Sequence, residues 1–103
     1  MTDINEIKNL LRERKVRWSA HCLERMNERD ISIADVKSCI ENGEIIEEYP
    51  DDFPYPSCLI FGSGTQERII HVVVGTDSKY LFIITAYIPN MIKFEADLKT
   101  RRR

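Results

Sequence analysis

His71 is the residue of this chain whose setting most clearly raises a question of chemistry. It stands in the run RIIHVVV and shares a strand face with Ile69 and Val73. A histidine there is either a satisfied core residue or a site residue at the sheet surface, where a shifted pKa suits acid–base work. On the following strand Thr85 and Tyr87 alternate with Leu81 and Ile83, with Tyr80, Phe82, Ile84 and Ala86 on the other face. If these two strands pair, Thr85 or Tyr87 comes within reach of His71, but strand register is not readable from sequence.

His21, Arg25 and Arg29 form the second constellation, at i, i+4 and i+8 on one helix face. Two guanidiniums one turn apart can grip a phosphate through bidentate hydrogen bonds, with a proton carrier one turn earlier. The same face can equally be a solvated one, paired with Glu24 and Glu28.

Other chemistries find little support. Ser19 and His21 are too close to read as a nucleophile–base pair. There is no phosphate-binding or dinucleotide-binding glycine pattern. Asp51 and Asp52 lack a third ligand at a familiar metal spacing. Cys22, Cys39 and Cys58 are odd in number, widely spaced and without a CxxC pair. They read as reduced thiols in a cytoplasm, with Cys58 packing mid-strand. Neither a metal nor a cofactor is expected.

The elements that must position these residues follow from hydrophobic periodicity. Helices are predicted over 4–14, 20–29 and 33–42, each opened by a capping residue: Asp3, Ser19 and Ser32. Gly43 ends the third, and the period then changes from 3.6 to 2. Strands are predicted over 44–49, 57–62, 68–75 and 80–87, joined by connections short enough for hairpins. MIKFEADL is expected to form a short terminal helix before the basic tail KTRRR. The resulting architecture is α+β: N-terminal helices packed on one face of a four-stranded antiparallel meander, in a single domain. The opposite face is expected to be partly open or covered by the C-terminal segment.

Charge narrows the function classes. The chain has 103 residues and a net charge of −2, so it is not a strongly basic nucleic-acid binder overall. The sign is uneven. Residues 30–55 carry eight acidic groups and one basic, whereas 56–103 carry seven basic and four acidic. No apolar run approaches the roughly 20 residues that span a bilayer. The polar start MTDINEIKNLLRERK has no apolar core of a signal peptide.

Three segments taken together resemble a bacterial family: SAHCLERMNERDISIADVKSCIENGEIIEEYPDD, then RIIHVVVG, then ITAYIPN. They are similar to the pattern of domain-of-unknown-function family 4258. The shared features are a histidine, an ERMxERxI helix, a Gly-Glu-x-Ile-x-x-Tyr-Pro segment, an His-Val-Val strand and a Thr-Ala-Tyr-x-Pro strand end. Asp30 stands where that family commonly has glycine. The resemblance implies a RelE-like fold and kinship with toxins of the MqsR kind, in the Barnase–EndoU–colicin–RelE group. It also implies metal-independent RNA cleavage, in which the ribose 2′-OH attacks the neighbouring phosphate.

The expected function is therefore an endoribonuclease toxin of a toxin–antitoxin pair. His71 and His21 are its expected proton carriers, with Arg25, Arg29, Thr85 and Tyr87 on the substrate. RNA is the expected substrate and a zinc-finger antitoxin of the MqsA type the expected protein partner. The alternative is a non-catalytic interaction module that docks a basic protein on the acidic segment 41–52. His21, Arg25, Arg29 and His71 are expected to converge on one surface concavity, with Thr85 or Tyr87 at its edge.

Overall fold

The computed structural model describes residues 2–103. Asp3 caps α1 (Ile4–Arg12) by accepting from the Asn5 N–H, and Ser19 caps α2 (Ala20–Glu28) by accepting from the Cys22 N–H. α3 (Ile33–Asn42) opens with a full capping box between Ser32 and Asp35. α1 and α2 end earlier than periodicity predicts, because each closes through a left-handed residue. Arg14 (φ 61°) and Asp30 (φ 58°) occupy that position. The N–H groups of Lys15 and Ile31 then reach back to the carbonyls of Leu10 and Met26, both at 2.9 Å. These are Schellman closures built without glycine. Asp30 adopts the backbone conformation that glycine adopts most cheaply.

The sheet corrects the predicted four-stranded antiparallel meander and the RelE-like arrangement implied with it. It has five strands in the order β1–β5–β4–β3–β2 and is mixed. β2 (Glu44–Tyr49), β3 (Ser57–Ser63), β4 (Ile69–Thr76) and β5 (Leu81–Tyr87) are the antiparallel part. The added strand, β1 (Val16–Trp18), runs parallel to β5, with Val16 opposite Leu81 and Trp18 opposite Ile83. Three residues are too few to show a period, and a parallel partner lies a long crossover away in sequence.

A bulge in β5 corrects a second expectation. Val73 pairs with Thr85 but Val74 pairs with Ile83, so Ile84 is the extra residue. The side-chain phase flips there. Leu81, Ile83 and Ala86 join the core beneath the helices, while Phe82, Thr85 and Tyr87 share the opposite face with Gly75, Val73 and His71. Thr85 and Tyr87 thus do not share the face of Leu81 and Ile83.

The two faces are covered differently. α1, α2 and α3 bury Ile7, Met26, Val36 and Ile40 against Ile60, Ile70, Val72 and Val74. Residues 88–103 cross the other face, with Phe94 buried among them. The expected terminal helix does not form. Asn90 accepts from the N–H groups of Ile92 and Lys93, and Asp97 accepts from those of Lys99 and Thr100. Such local side-chain bonds offer the backbone turns in place of helix. A bridge between Phe94 and Arg101 closes the segment into a small loop. No helix is long and apolar enough to cross a membrane, among the described residues.

Candidate functional site

His71 is fully buried on the face covered by the C-terminal segment. Its ring meets Phe94 edge-on at 4.6 Å, and Tyr87 and Phe61 lie at 5.3 and 6.0 Å. Both nitrogens are engaged. Nε2 lies 2.6 Å from the Leu98 carbonyl oxygen and Nδ1 lies 3.2 Å from the Tyr87 hydroxyl. A carbonyl can only accept, so Nε2 carries the proton. Nδ1 of the neutral ring then accepts from the Tyr87 O–H. Burial lowers the His71 pKa, opposed by the Leu98 carbonyl and the Glu47 carboxylate, which favours this neutral tautomer. Burial also raises the pKa of Tyr87.

Tyr87 is the outward end of this pair. It lines a cleft of about 350 Å³ together with Arg29, Asn90, Lys93 and Arg101. Arg29, at the C-terminal cap of α2, donates through Nη1 to the Ala86 carbonyl at 2.8 Å and to the Thr85 hydroxyl at 3.2 Å. These bonds hold the guanidinium at the strand end and leave its other N–H groups for an anion. Arg29 and Lys93 form no ion pair among the described residues, whereas Arg101 grips Glu47 with two hydrogen bonds of 3.1 Å. Burial would raise Glu47, but the bonds from Arg101 and Tyr49 outweigh it and hold this carboxyl below its usual range.

Four of the predicted residues thus make two contacts that are two residues apart on β5: Arg29 with Thr85, and Tyr87 with His71. His21 and Arg25 take part in neither. Both are exposed, and Arg25 pairs with Glu28 at 3.2 Å. At about 1.5 Å per residue, His21 lies roughly 12 Å back along the helix from Arg29. Lys93, Phe94, Leu98, Arg101 and Glu47 escaped the sequence reading. Opposite charge on KTRRR and on the EIIEEY strand was the available signal, since Lys99 meets Glu44 at 2.7 Å and Arg101 meets Glu47.

Among the described residues no group of three His, Cys, Asp or Glu side chains is placed to hold a metal ion. The three cysteines are free and buried. Burial pushes Cys39 up to about 12 and Cys58 up to about 11, so they pack as thiols rather than react as thiolates.

Residues 18–88 match the domain of unknown function DUF4258. No curated protein and no solved structure matches the chain. The matched span holds Arg29, His71, Thr85 and Tyr87, while Lys93, Phe94 and Arg101 lie beyond it.

Proposed function

The chain belongs to the DUF4258 family, and we propose that it is an endoribonuclease acting at the Tyr87 cleft without a metal ion. The observation that carries this reading is the Tyr87–His71 hydrogen bond opening onto a cleft rimmed by Arg29 and Lys93. A phosphodiester seated against the cations brings a ribose 2′-OH to Tyr87. Its proton passes to the Tyr87 oxygen as the Tyr87 proton passes to Nδ1 of His71. The alkoxide attacks phosphorus, the bond to the 5′ oxygen breaks, and the Lys93 ammonium supplies the proton that the leaving oxygen takes. Arg29, Lys93 and Arg101 offset the charge of the phosphorane.

His71 does not reach the cleft in this scheme. It is a positioning residue that sets the direction of the Tyr87 proton, and its imidazolium is steadied by the Leu98 carbonyl and Glu47. The toxin role and an antitoxin partner of the zinc-finger type belong to the same proposal and rest on the family resemblance. The alternative, a basic protein docked on the acidic segment, is less well supported. Glu44 and Glu47 are already paired with the chain's own Lys99 and Arg101.

The test is cleavage of a single-stranded RNA in EDTA by protein freed of contaminating nuclease. Tyr87→Phe should lower the rate about 10²–10⁴-fold, the usual contribution of an acid–base group. Binding of a 2′-O-methyl oligonucleotide, which cannot react, should persist. Equal cleavage by parent and variant removes the assignment.

A further inference from the structure

A second concavity lies on the same sheet face, toward the other end of β5. It has a volume of about 220 Å³ and is walled by Phe53, Tyr55, Phe82 and Ile84, with Gly75 and Asp52 also lining it. Tyr55 and Phe82 are stacked, with ring centroids 4.9 Å apart and planes within 6°. Phe53, in the same loop, is 95% exposed and Ile84 is 47% exposed. An aromatic left this bare contributes nothing to the core, and a contiguous exposed apolar patch marks a binding surface.

We propose that this concavity is a nucleobase subsite for single-stranded RNA, an inference that rests on the ribonuclease reading and adds its substrate geometry. Planar walls suit a flat ring, because every base presents a π-face to an aromatic side chain. Charge excludes the rest of the nucleotide. The lining holds one carboxylate, Asp52, and no cation, so a phosphate is repelled while a base edge with N–H donors is not. The cations stand outside it instead. Arg29 and Lys93 rim the Tyr87 cleft. Beside Phe82, on the neighbouring strand, Arg17 lies over the Tyr80 ring at 4.2 Å and lines a groove that shares Phe82 and Ile84 with the subsite. Ile84 and Tyr87 are three residues apart, about 10 Å along a strand. A strand of RNA running from the Tyr87 cleft along β5 meets the cations and then the aromatic pocket. Gly75 opposite Phe82 keeps the floor open.

The experiment uses the full chain and a short fluorescent 2′-O-methyl oligonucleotide. An abasic version of equal length and charge is the comparison, with both bound under one salt condition. The intact oligonucleotide should bind about tenfold or more tightly than the abasic one, in line with one stacked base. Phe53→Ala should abolish that difference without altering abasic binding, and Phe53→Trp should retain it. Equal binding of the two oligonucleotides, still weakened by Lys93→Ala, would overturn the subsite and leave the phosphate cleft standing. Failure of both to bind would overturn both readings. Concentration-dependent self-association that Phe53→Ala removes, without oligonucleotide binding, would reassign the patch to protein contact and overturn the subsite.

Discussion

At the scale of single residues, His71 is the satisfied core histidine that its sequence context allowed, not a residue at the sheet surface. It is a buried histidine with two satisfied nitrogens, and one of those nitrogens faces the hydroxyl that lines the cleft. Burial that lowers its pKa makes folding sensitive to pH in a defined direction. An unfolded histidine titrates near 6.5, and in the folded state the proton is taken up only at lower pH. Stability from this residue is therefore full above about pH 6.5, where both states are neutral, and falls as the pH drops toward the folded value. The melting temperature of the parent should fall between pH 7 and pH 5, at about 4–8 °C for each kcal/mol lost in a domain of this size. His71→Phe should melt lower at pH 7, having lost two hydrogen bonds, yet change less over that range. Thermal scans in matched buffers decide it, and equal slopes would mean that another group carries the pH dependence. Lys93 offers a second, independent measurement. It is exposed, so Lys93→Ala should leave stability within about 0.5 kcal/mol. It should weaken oligonucleotide binding and flatten the salt dependence by somewhat under one unit of slope.

Secondary structure elements were legible where a strong local signal existed. The capping residues Asp3, Ser19 and Ser32 and the alternation along the four longer strands placed seven of the eight elements, to within two residues at each end. What escaped depends on distant partners. β1 has no period of its own and is held by parallel pairing with β5. The β5 bulge moves Thr85 and Tyr87 to the His71 face and is invisible without its partner strand. The helix ends at Arg14 and Asp30 lacked the glycine by which such closures are recognised. Asp30→Gly should therefore stabilise the protein, by at most about 1 kcal/mol once the flexibility of unfolded glycine is deducted. Urea titration measures it, and a destabilised variant would show that the Asp30 side chain contributes something besides its backbone. Asp35 works in the opposite sense. Its carboxylate accepts from the N–H groups of Ser32 and Thr65 and from the Thr65 hydroxyl, and it pairs with Arg68 at 3.4 Å. The Ser32 bond first, and the Thr65 bonds with it, hold its pKa far below the carboxylate range. It joins the start of α3 to the β3–β4 turn. Asp35→Ala should cost about 2–4 kcal/mol, since hydrogen bonds to a charged group contribute about 1.5–3 kcal/mol each and water replaces only part of them.

Across the whole molecule, the uneven charge of the chain resolves into an internal pairing. Glu44, Glu47 and Glu48 of the acidic run that reads as a docking surface lie on the outer strand β2, and the basic tail is folded back against it. Lys99 joins Glu44, Arg101 joins Glu47, and Arg102 joins Glu95 within the tail itself. Lys99 and Arg101 also lie over the rings of Phe61 and Phe94, at 4.7 and 4.8 Å. The covering of His71 is thus held partly by exposed ion pairs, each of which contributes only about 0.2–1 kcal/mol. Such contacts weaken with salt, because the Debye length shrinks from about 10 Å at 0.1 M to about 3 Å at 1 M. The Phe94 ring and the Leu98–His71 bond respond far less. The segment should accordingly loosen in two stages, its charged end before its apolar anchor. Trypsin reads the stages directly, because it cuts after Lys93, Lys99, Arg101 and Arg102. In low salt, cleavage after Lys99 and Arg101 should be slow in the parent and several-fold faster in the double variant Glu44→Gln, Glu47→Gln. In high salt the two proteins should converge, while the bond after Lys93, next to buried Phe94, stays protected in both. Equal cleavage of parent and variant in low salt would mean that Phe94 and Leu98 alone hold the tail.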